Sequence, residues 1–241
     1  SSHAYRLALQ PHVQNSGRLM IRLLPDDFDV LSSLKAEINS VLKFFGLTPA
    51  SVDLLVDMRS VVDPQDTAND IVKFVGSLPD LKKWKTLTVA GGSFPSSLNP
   101  HAPHTWHSQQ RMEREAWLTA RKYLTALRLP SYSDYGVRDI GAPAKFGAPA
   151  PNIRYTVGTA YLFRRHDLSF KDGGSAGIFP ICASLISSNM FSGAQFSSGD
   201  ELIEYTGTSQ ISTGNPTNWT AWGMSHHFEA VAGETLTLLA A

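Results

Sequence analysis

Two short apolar segments decide the fold of this chain: residues 52–58 read VDLLVDM, and residues 86–90 read TLTVA. Each is a nearly continuous apolar run rather than an alternating one, which is typical of buried strands in a parallel sheet. Amphipathic stretches with helical spacing lie next to them, at residues 28–45 and 65–83. Because strands alternate with helices, the sequence predicts an α/β fold built on a parallel sheet.

The same alternation continues along the chain. Strand-like steps lie near residues 20, 55, 88, 133 and 154, and the longest predicted helix spans residues 109–128. A (β/α)8 barrel needs eight strands, and one βα unit takes roughly 30 residues. Since only five steps are present, we predict a TIM-barrel-like (β/α)8 fold whose first βα units are missing from this chain. A five-stranded open sheet is the alternative.

The C-terminal part of the chain has a different character. Small and apolar residues fill 175–191, where Pro180 is expected to interrupt a buried helix. Two more helices are predicted at 199–209 and 217–232, and Ser197 or Ser198 is expected to cap the first of them.

Two domains follow from this contrast. Residues 1–171 are predicted to form the parallel barrel-like body, and residues 172–241 a helical segment that packs on the body as a lid. The Pro-, Gly- and Ala-rich stretch at 141–151 is expected to be a loop rather than a domain boundary.

Charge is distributed unevenly between these parts. All 21 Lys and Arg lie at or before Lys171, together with 15 of the 21 Asp and Glu, so the body carries +6 and the remainder −6. A positive body attracts anions, and a negative tail can pack on it. A chance surface composition is the other interpretation.

Composition excludes several classes of protein. Hydrophobic residues make up 42% and charged residues 17% of the chain, which argues against global disorder. No apolar stretch is long enough to cross a membrane, and the N-terminal residues show no signal-peptide pattern. The single Cys182 excludes an internal disulfide and is expected to be a buried thiol, so we predict a cytoplasmic protein without a membrane partner.

Polar residues at the ends of the predicted strands form the first candidate site. Ligands of parallel α/β folds bind at the carboxyl ends of the strands. The candidate substrate-binding and catalytic residues there are Arg22, Asp57, Arg59, Gly92, Ser93, Asp134 and Arg154. The arginines and the Gly91–Gly92 backbone would bind an anion such as a phosphate, while Asp57 and Asp134 would hold a divalent metal or transfer protons. The alternative is that Arg22–Asp57 and Arg154–Asp134 are structural ion pairs.

Adjacent histidines form the second candidate site. His226 and His227 lie in a predicted helix, where neighbouring side chains point about 100° apart and do not easily share one metal ion. Asp200 is a candidate substrate-binding residue that lies near them in motif order. With it as a polar neighbour, either histidine could act in proton transfer, and packing is the competing role.

A third histidine group is weaker. His101, His104 and His107 have a spacing at which imidazoles can bind zinc, but Pro103 breaks helical geometry and no cysteine is near. This spacing therefore does not identify a metal for the protein, and a divalent ion remains the only cofactor considered. No phosphate-binding GxxxxGK[ST], no GxGxxG and no GxSxG is present, which gives no support to nucleoside-triphosphate hydrolysis or to serine hydrolases.

An ordered set of motifs gives the chain a family resemblance. The motifs are VDLLVD at 52–57, AGGSFPSSL at 90–98, RMEREAW at 111–117, SDYG at 133–136, NIRY at 152–155, FSGAQFSSGD at 191–200 and GNPTNWTAWGMSHH at 214–227. Together they cover most of residues 18–232, and the chain resembles roughly the C-terminal two thirds of the family named for the phage beta protein. The resemblance implies a barrel-like α/β body followed by a helical part, and it implies no particular reaction.

Two functional hypotheses follow. The first is a phage-, prophage- or antiviral-defence-associated enzyme acting on a phosphate-bearing substrate, such as a nucleotide or nucleic acid. The second is a non-catalytic sensor or interaction module that binds such a ligand or a phage protein. In either case, a companion chain that supplies the missing barrel units is an expected partner.

Overall fold

A computed structural model describes residues 3–141, 149–172 and 174–240. In chain order its helices and strands are α1 (His3–Ser16), β1 (Leu19–Leu23), α2 (Leu31–Phe45), β2 (Val52–Ser60), α3 (Pro64–Ser77), β3 (Thr86–Gly92), β4 (His107–Gln110), α4 (Met112–Leu124), β5 (Ser131–Asp134), β6 (Asn152–Val157), β7 (Ala160–Arg165), α5 (Ile178–Ile186), α6 (Ser198–Ser209) and α7 (Pro216–Ala240). They form two compact units, one of Ser1–Gly92 with Met112–Asp134 and one of Ser93–Arg111 with Tyr135–Ala241.

The first unit contains a four-stranded parallel sheet in the order β1-β2-β3-β5. Strands that neighbour each other in space also follow each other along the chain within this unit, which is the arrangement of consecutive βα units. The two apolar segments singled out in the sequence are its central strands, β2 and β3.

One face of this sheet forms the core of the first unit. Val52, Leu54 and Val56 alternate along β2 and are at most 1% exposed, whereas the intervening Asp53 and Leu55 are only half-buried. Since successive strand residues point to opposite faces, the apolar core lies on one face, and the other carries polar and half-exposed residues.

Local signals set the ends of the helices in the first unit. Helix α2 ends at Gly46, whose φ of +66° is a left-handed conformation that glycine adopts without strain. Helix α3 begins after Asp63, whose carboxylate accepts hydrogen bonds from the backbone N–H groups of Gln65 and Asp66.

The second unit is built on an antiparallel sheet in the order β4-β7-β6. The hairpin between β6 and β7 turns at Gly158, whose φ is +52°. The strand step predicted near residue 154 is therefore present as β6, but it pairs antiparallel with β7 and does not extend the parallel sheet.

Three helices complete the second unit. The predicted interruption at Pro180 is absent, because this residue lies in the first turn of α5, where proline needs no hydrogen-bonded N–H. Ser197, one of the two serines predicted as the cap, is the N-cap of helix α6. A side chain at Gly199 would collide with the Trp222 carbonyl, so glycine permits close approach of α6 and α7.

These observations correct the predicted fold in one respect. The α/β class and a parallel sheet are present, but no closed barrel is found in the part of the chain that the structure describes. Residue 171 lies within the second unit, where β6 packs with α7, and the predicted division into 1–171 and 172–241 stays a prediction. Most of the loop predicted at 141–151 lies outside the described residues. Among the described helices, none is both long and apolar enough to span a bilayer.

Candidate functional site

The carboxyl edge of the parallel sheet carries the first group of candidate residues. Strand register places Asp57 beside Ala90, and Ala90 beside Ser133, so these three positions share one face of the sheet. Arg22 is on β1 opposite Leu55, two residues before Asp57, and therefore lies on the same face.

Arg22 and Asp57 form an ion pair on that face. The Arg22 Nε donates to Asp57 Oδ2 at 2.7 Å, and a terminal guanidinium nitrogen lies 2.5 Å from the same oxygen. The carboxylate is buried, with a side chain 1% exposed, while the Arg22 side chain is 50% exposed. The buried Asp57 carboxylate thus anchors the Arg22 guanidinium at the surface. This is the Arg22–Asp57 ion pair that the sequence offered as the alternative to a binding site.

The backbone around Arg59 supports the same carboxylate. The Arg59 N–H donates to Asp57 Oδ1 at 2.8 Å, and Arg59 has a φ of +56°, a left-handed conformation that a non-glycine residue seldom adopts. Its side chain is exposed. Gly92 continues the edge, since it pairs with Ser60 and accepts a hydrogen bond from the Val61 N–H at 2.9 Å.

Asp134 lies on the opposite face of the sheet. It pairs with Gly91, one position out of step with Asp57, so the two carboxylates predicted to work together are on different faces. Its Oδ2 accepts a hydrogen bond from the Tyr132 hydroxyl at 2.7 Å. The same hydroxyl lies 3.4 Å from Glu113 Oε1 on α4.

Glu113 was not among the candidate residues predicted from the sequence. It is 3% exposed and shares its face of α4 with Ala116, Trp117 and Ala120, which are also buried. The sequence did contain a sign of this burial, because Glu113 precedes the apolar residues 116, 117 and 120 by three, four and seven positions, the spacing of one helix face. A carboxylate at such a position requires a polar partner, and Tyr132 is one.

The second unit contains a different acid–base pair, between Asp200 on α6 and His226 on α7. The His226 Nδ1 lies 2.9 Å from Asp200 Oδ2, and its Nε2 lies 2.7 Å from the Thr156 carbonyl oxygen on β6. Asp200 also accepts hydrogen bonds from the Tyr155 hydroxyl at 2.5 Å and from the Ser197 hydroxyl at 2.6 Å.

Both ring nitrogens of His226 therefore face acceptor oxygens. The imidazole thus bridges the Asp200 carboxylate on α6 and the Thr156 carbonyl on β6. Burial acts to raise the pKa of Asp200, but hydrogen bonds from His226, Ser197 and Tyr155 outweigh it and lower that pKa below its ordinary value. Burial and the bond to Asp200 raise the pKa of the Tyr155 hydroxyl.

His227 is as deeply buried as its neighbour. Both residues are 0% exposed, and the His227 Nδ1 lies 2.8 Å from the Thr156 hydroxyl. The two adjacent imidazoles thus reach the same residue of β6, one at its carbonyl and the other at its side chain. Their positions fit the packing role that the sequence left open beside proton transfer.

Arg154 and Ser93 lie in the second unit and make local contacts. The Arg154 guanidinium donates to the Val137 carbonyl at 2.9 Å and to Asn152 at 3.2 Å. Burial, with the nearby charge of Arg138, lowers the pKa of Arg154 to about 10, so it stays cationic at neutral pH. The Ser93 hydroxyl donates to the Gln110 carbonyl at 3.2 Å.

The structure thus separates the predicted site residues into two groups. Arg22, Asp57, Arg59, Gly92 and Asp134 belong to the first unit, and Ser93, Arg154, Asp200, His226 and His227 to the second. Cys182 is buried as expected, and burial raises the pKa of its thiol to about 12.

Comparison with known proteins adds the family. A family model described as Beta protein matches residues 2–233, nearly the whole chain. The chain belongs to the Beta protein family. The match confirms the resemblance inferred from the ordered motifs and extends it to α1, which lies ahead of them. No curated protein and no solved structure matches this Beta protein family member.

Proposed function

We propose that this Beta protein family member is an enzyme that acts on a phosphate-bearing substrate, a nucleotide or a nucleic acid, in a phage or antiviral-defence setting. The observation that carries the proposal is the half-exposed Arg22 guanidinium, held by the buried Asp57 at the carboxyl edge of the parallel sheet. Ligand sites of parallel α/β folds lie at this edge.

Arg22 is suited to bind a phosphate group. A guanidinium is planar, remains charged at any physiological pH and binds phosphate oxygens through parallel N–H bonds. Its contact with Asp57 fixes the orientation of the side chain, which reduces the entropy lost on binding. The exposed side chain of Arg59 follows two residues after Asp57 and would add a second positive charge.

Proton transfer is assigned to Asp57, because this carboxylate lies on the same face of the sheet as Arg22. Asp134 and Glu113 contact the Tyr132 hydroxyl on the other face, so they are given no part in the reaction. Asp57 and Asp134 lie on opposite faces of the sheet, so a divalent metal held jointly by these two carboxylates is not part of the proposal.

A specific observation favours the second hypothesis, a non-catalytic sensor or interaction module. Asp200, His226 and His227 are 0% exposed, and Asp200 and His226 are bonded to neighbouring protein groups on each side. Such groups stabilise a fold and do not reach a substrate. A module of this kind would bind the same phosphate-bearing ligand at Arg22, or a phage protein, without turnover.

We also propose that the parallel sheet of the first unit is part of a (β/α)8 barrel. The order β1-β2-β3-β5, parallel throughout, is the order of consecutive strands in a (β/α)8 barrel. We propose that a companion polypeptide supplies further βα units. Native mass spectrometry of the protein isolated from its own host would show a stable complex heavier than the 26.3 kDa chain.

One titration tests the proposed activity. The purified full chain is mixed with nucleoside mono-, di- and triphosphates and with short oligonucleotides, and binding and product formation are measured together. We expect Arg22→Gln to weaken binding about tenfold or more, since a charge-assisted hydrogen bond is lost.

The matched control is Arg18→Gln, which makes the same charge change at the exposed residue just before the amino end of β1. Binding with turnover that Asp57→Asn abolishes supports the enzyme. Binding without turnover supports the sensor instead. Equal affinity of the Arg22→Gln and Arg18→Gln variants would remove the site.

A further inference from the structure

Three metal-ligating side chains meet in the second unit. They are His104, His166 and Asp167, whose ligand atoms all lie within 4.8 Å of one another. The Asp167 Oδ1 lies 2.9 Å from His166 Nδ1 and 3.2 Å from His104 Nε2. Among the residues that the structure describes, no other three His, Cys, Asp or Glu side chains bring their ligand atoms this close together.

The ligand atoms of this cluster lie in one small region. The Leu168 backbone N–H is shared between Asp167 Oδ1 at 2.9 Å and His166 Nδ1 at 3.1 Å. Its bond to the carboxylate oxygen, which has further lone pairs, can persist when the single Nδ1 lone pair of His166 binds a cation instead.

The fold holds the cluster in place from both sides. The backbone N–H of His104 donates to the Arg165 carbonyl at 2.8 Å, which connects the loop before β4 to the end of β7. The backbone N–H of His166 donates to the Pro151 carbonyl at 2.8 Å. A side chain at Gly177 would collide with the His166 imidazole, so glycine leaves the space that the ring occupies.

We propose that His104, His166 and Asp167 form a binding site for a divalent transition-metal ion, with zinc as the best match. Two imidazole nitrogens and one carboxylate oxygen are a ligand set that zinc accepts, with water completing a tetrahedral site. Ligands of one tetrahedral zinc ion lie roughly 3.3 Å apart when each bond is about 2.0 Å. The two distances at Asp167 Oδ1, 2.9 and 3.2 Å, are close to that spacing.

This site differs from the HxxHxxH spacing seen in the sequence. His101 and His107 lie with ring centroids 5.0 Å apart, both rings contact Phe163, and the His107 Nε2 lies 2.9 Å from the Ala102 carbonyl. Only His104 of the three histidines joins the cluster, and its other partners come from the residues that follow β7. The site is partly exposed, so an ion can exchange with solvent.

Metal titration of the full chain tests the site. The protein is first dialysed against a chelator, and Zn²⁺ and Co²⁺ are then added in calorimetric and optical titrations. We expect one ion per chain with a Kd in the micromolar range or below, and a Co²⁺ visible spectrum of a four-coordinate site. Asp167→Asn and His104→Gln should each weaken binding at least tenfold.

Matched controls come from the same region. His107→Gln removes a histidine of the sequence motif, and Asp172→Asn removes a nearby exposed carboxylate; both should leave the Kd unchanged. Asp167 and His104 are about half exposed, so their variants are expected to fold, and circular dichroism verifies this. Absence of saturable binding would overturn the proposal, as would a loss of affinity in His107→Gln that equals the loss in Asp167→Asn.

Discussion

Each of the two units contains a buried carboxylate that contacts a basic side chain, and the two pairs differ in the exposure of that basic side chain. In the first unit, the Asp57 side chain is 1% exposed and Arg22 is 50% exposed. In the second unit, Asp200 and His226 are 0% and 1% exposed. The Arg22–Asp57 pair therefore presents a basic side chain to solvent, whereas the Asp200–His226 pair joins α6, α7 and β6 in the core of its unit.

This contrast shows that the type of residue does not decide its role. A buried ion pair that loses one partner leaves an uncompensated charge in a medium of low dielectric constant, whereas water screens a half-exposed group. We therefore expect changes in the Asp200–His226 pair to affect stability most and changes in the Arg22–Asp57 pair to affect ligand binding most.

The largest expected effect is on stability, from His226→Ala. The substitution leaves the buried Asp200 carboxylate and the Thr156 carbonyl without the imidazole that contacts both, which should lower the free energy of unfolding by about 3–5 kcal/mol. Urea denaturation followed by circular dichroism measures the change. His12→Ala, at an exposed histidine of α1, is the control and should change stability by less than about 0.5 kcal/mol. A loss below about 1 kcal/mol for His226→Ala would contradict the role assigned to this pair.

A smaller effect should appear as a pH dependence. Since the pKa of Asp200 is lowered in the folded protein, this residue contributes stability that is fully present above its unfolded pKa of about 3.9 and is lost as the pH falls through the folded value. Asp200→Asn should therefore flatten the acid side of the stability profile. The measurement is the denaturation midpoint between pH 7 and pH 2.

The control for this profile is Glu201→Gln, which changes the neighbouring, exposed carboxylate of α6. It should keep the wild-type acid slope. If Asp200→Asn keeps the same slope as well, the carboxylate does not carry the pH dependence expected of it.

The smallest expected effect on stability is that of Arg22→Gln. Asp57 keeps the bond from the Arg59 backbone N–H, and the glutamine amide is still a donor for the buried carboxylate, so the loss should be about 1 kcal/mol. Thermal denaturation beside Arg18→Gln measures it. A loss as large as that of His226→Ala would mean that the two pairs have the same structural role, and the comparison between the units would fail.

Sequence reasoning located the elements better than it located their partners. The apolar runs at 52–58 and 86–90 are strands, and Gly46 and Ser197 cap the predicted helix ends. The step near residue 154 is also a strand, but its antiparallel pairing was not foreseen. A run of six residues has the same side-chain alternation whichever way its neighbour runs, so direction depends on a partner elsewhere in the chain.

The candidate site shows the same limit. Asp57 and Asp134 were both placed correctly at the carboxyl edge of strands, but the register that puts them on opposite faces is a property of three paired strands. The cluster of His104, His166 and Asp167 joins residues about 60 positions apart along the chain. Its only local sign was the single histidine that it shares with the HxxHxxH spacing.

Local periodicity, capping residues and motif order are enough to predict the α/β class, the family, most helix and strand positions and the residues able to carry chemistry. Which charged groups are buried and which reach solvent follows only from the folded structure. Burial depends on contacts between segments distant along the chain, and these contacts make His226 part of a core and leave the Arg22 side chain half exposed.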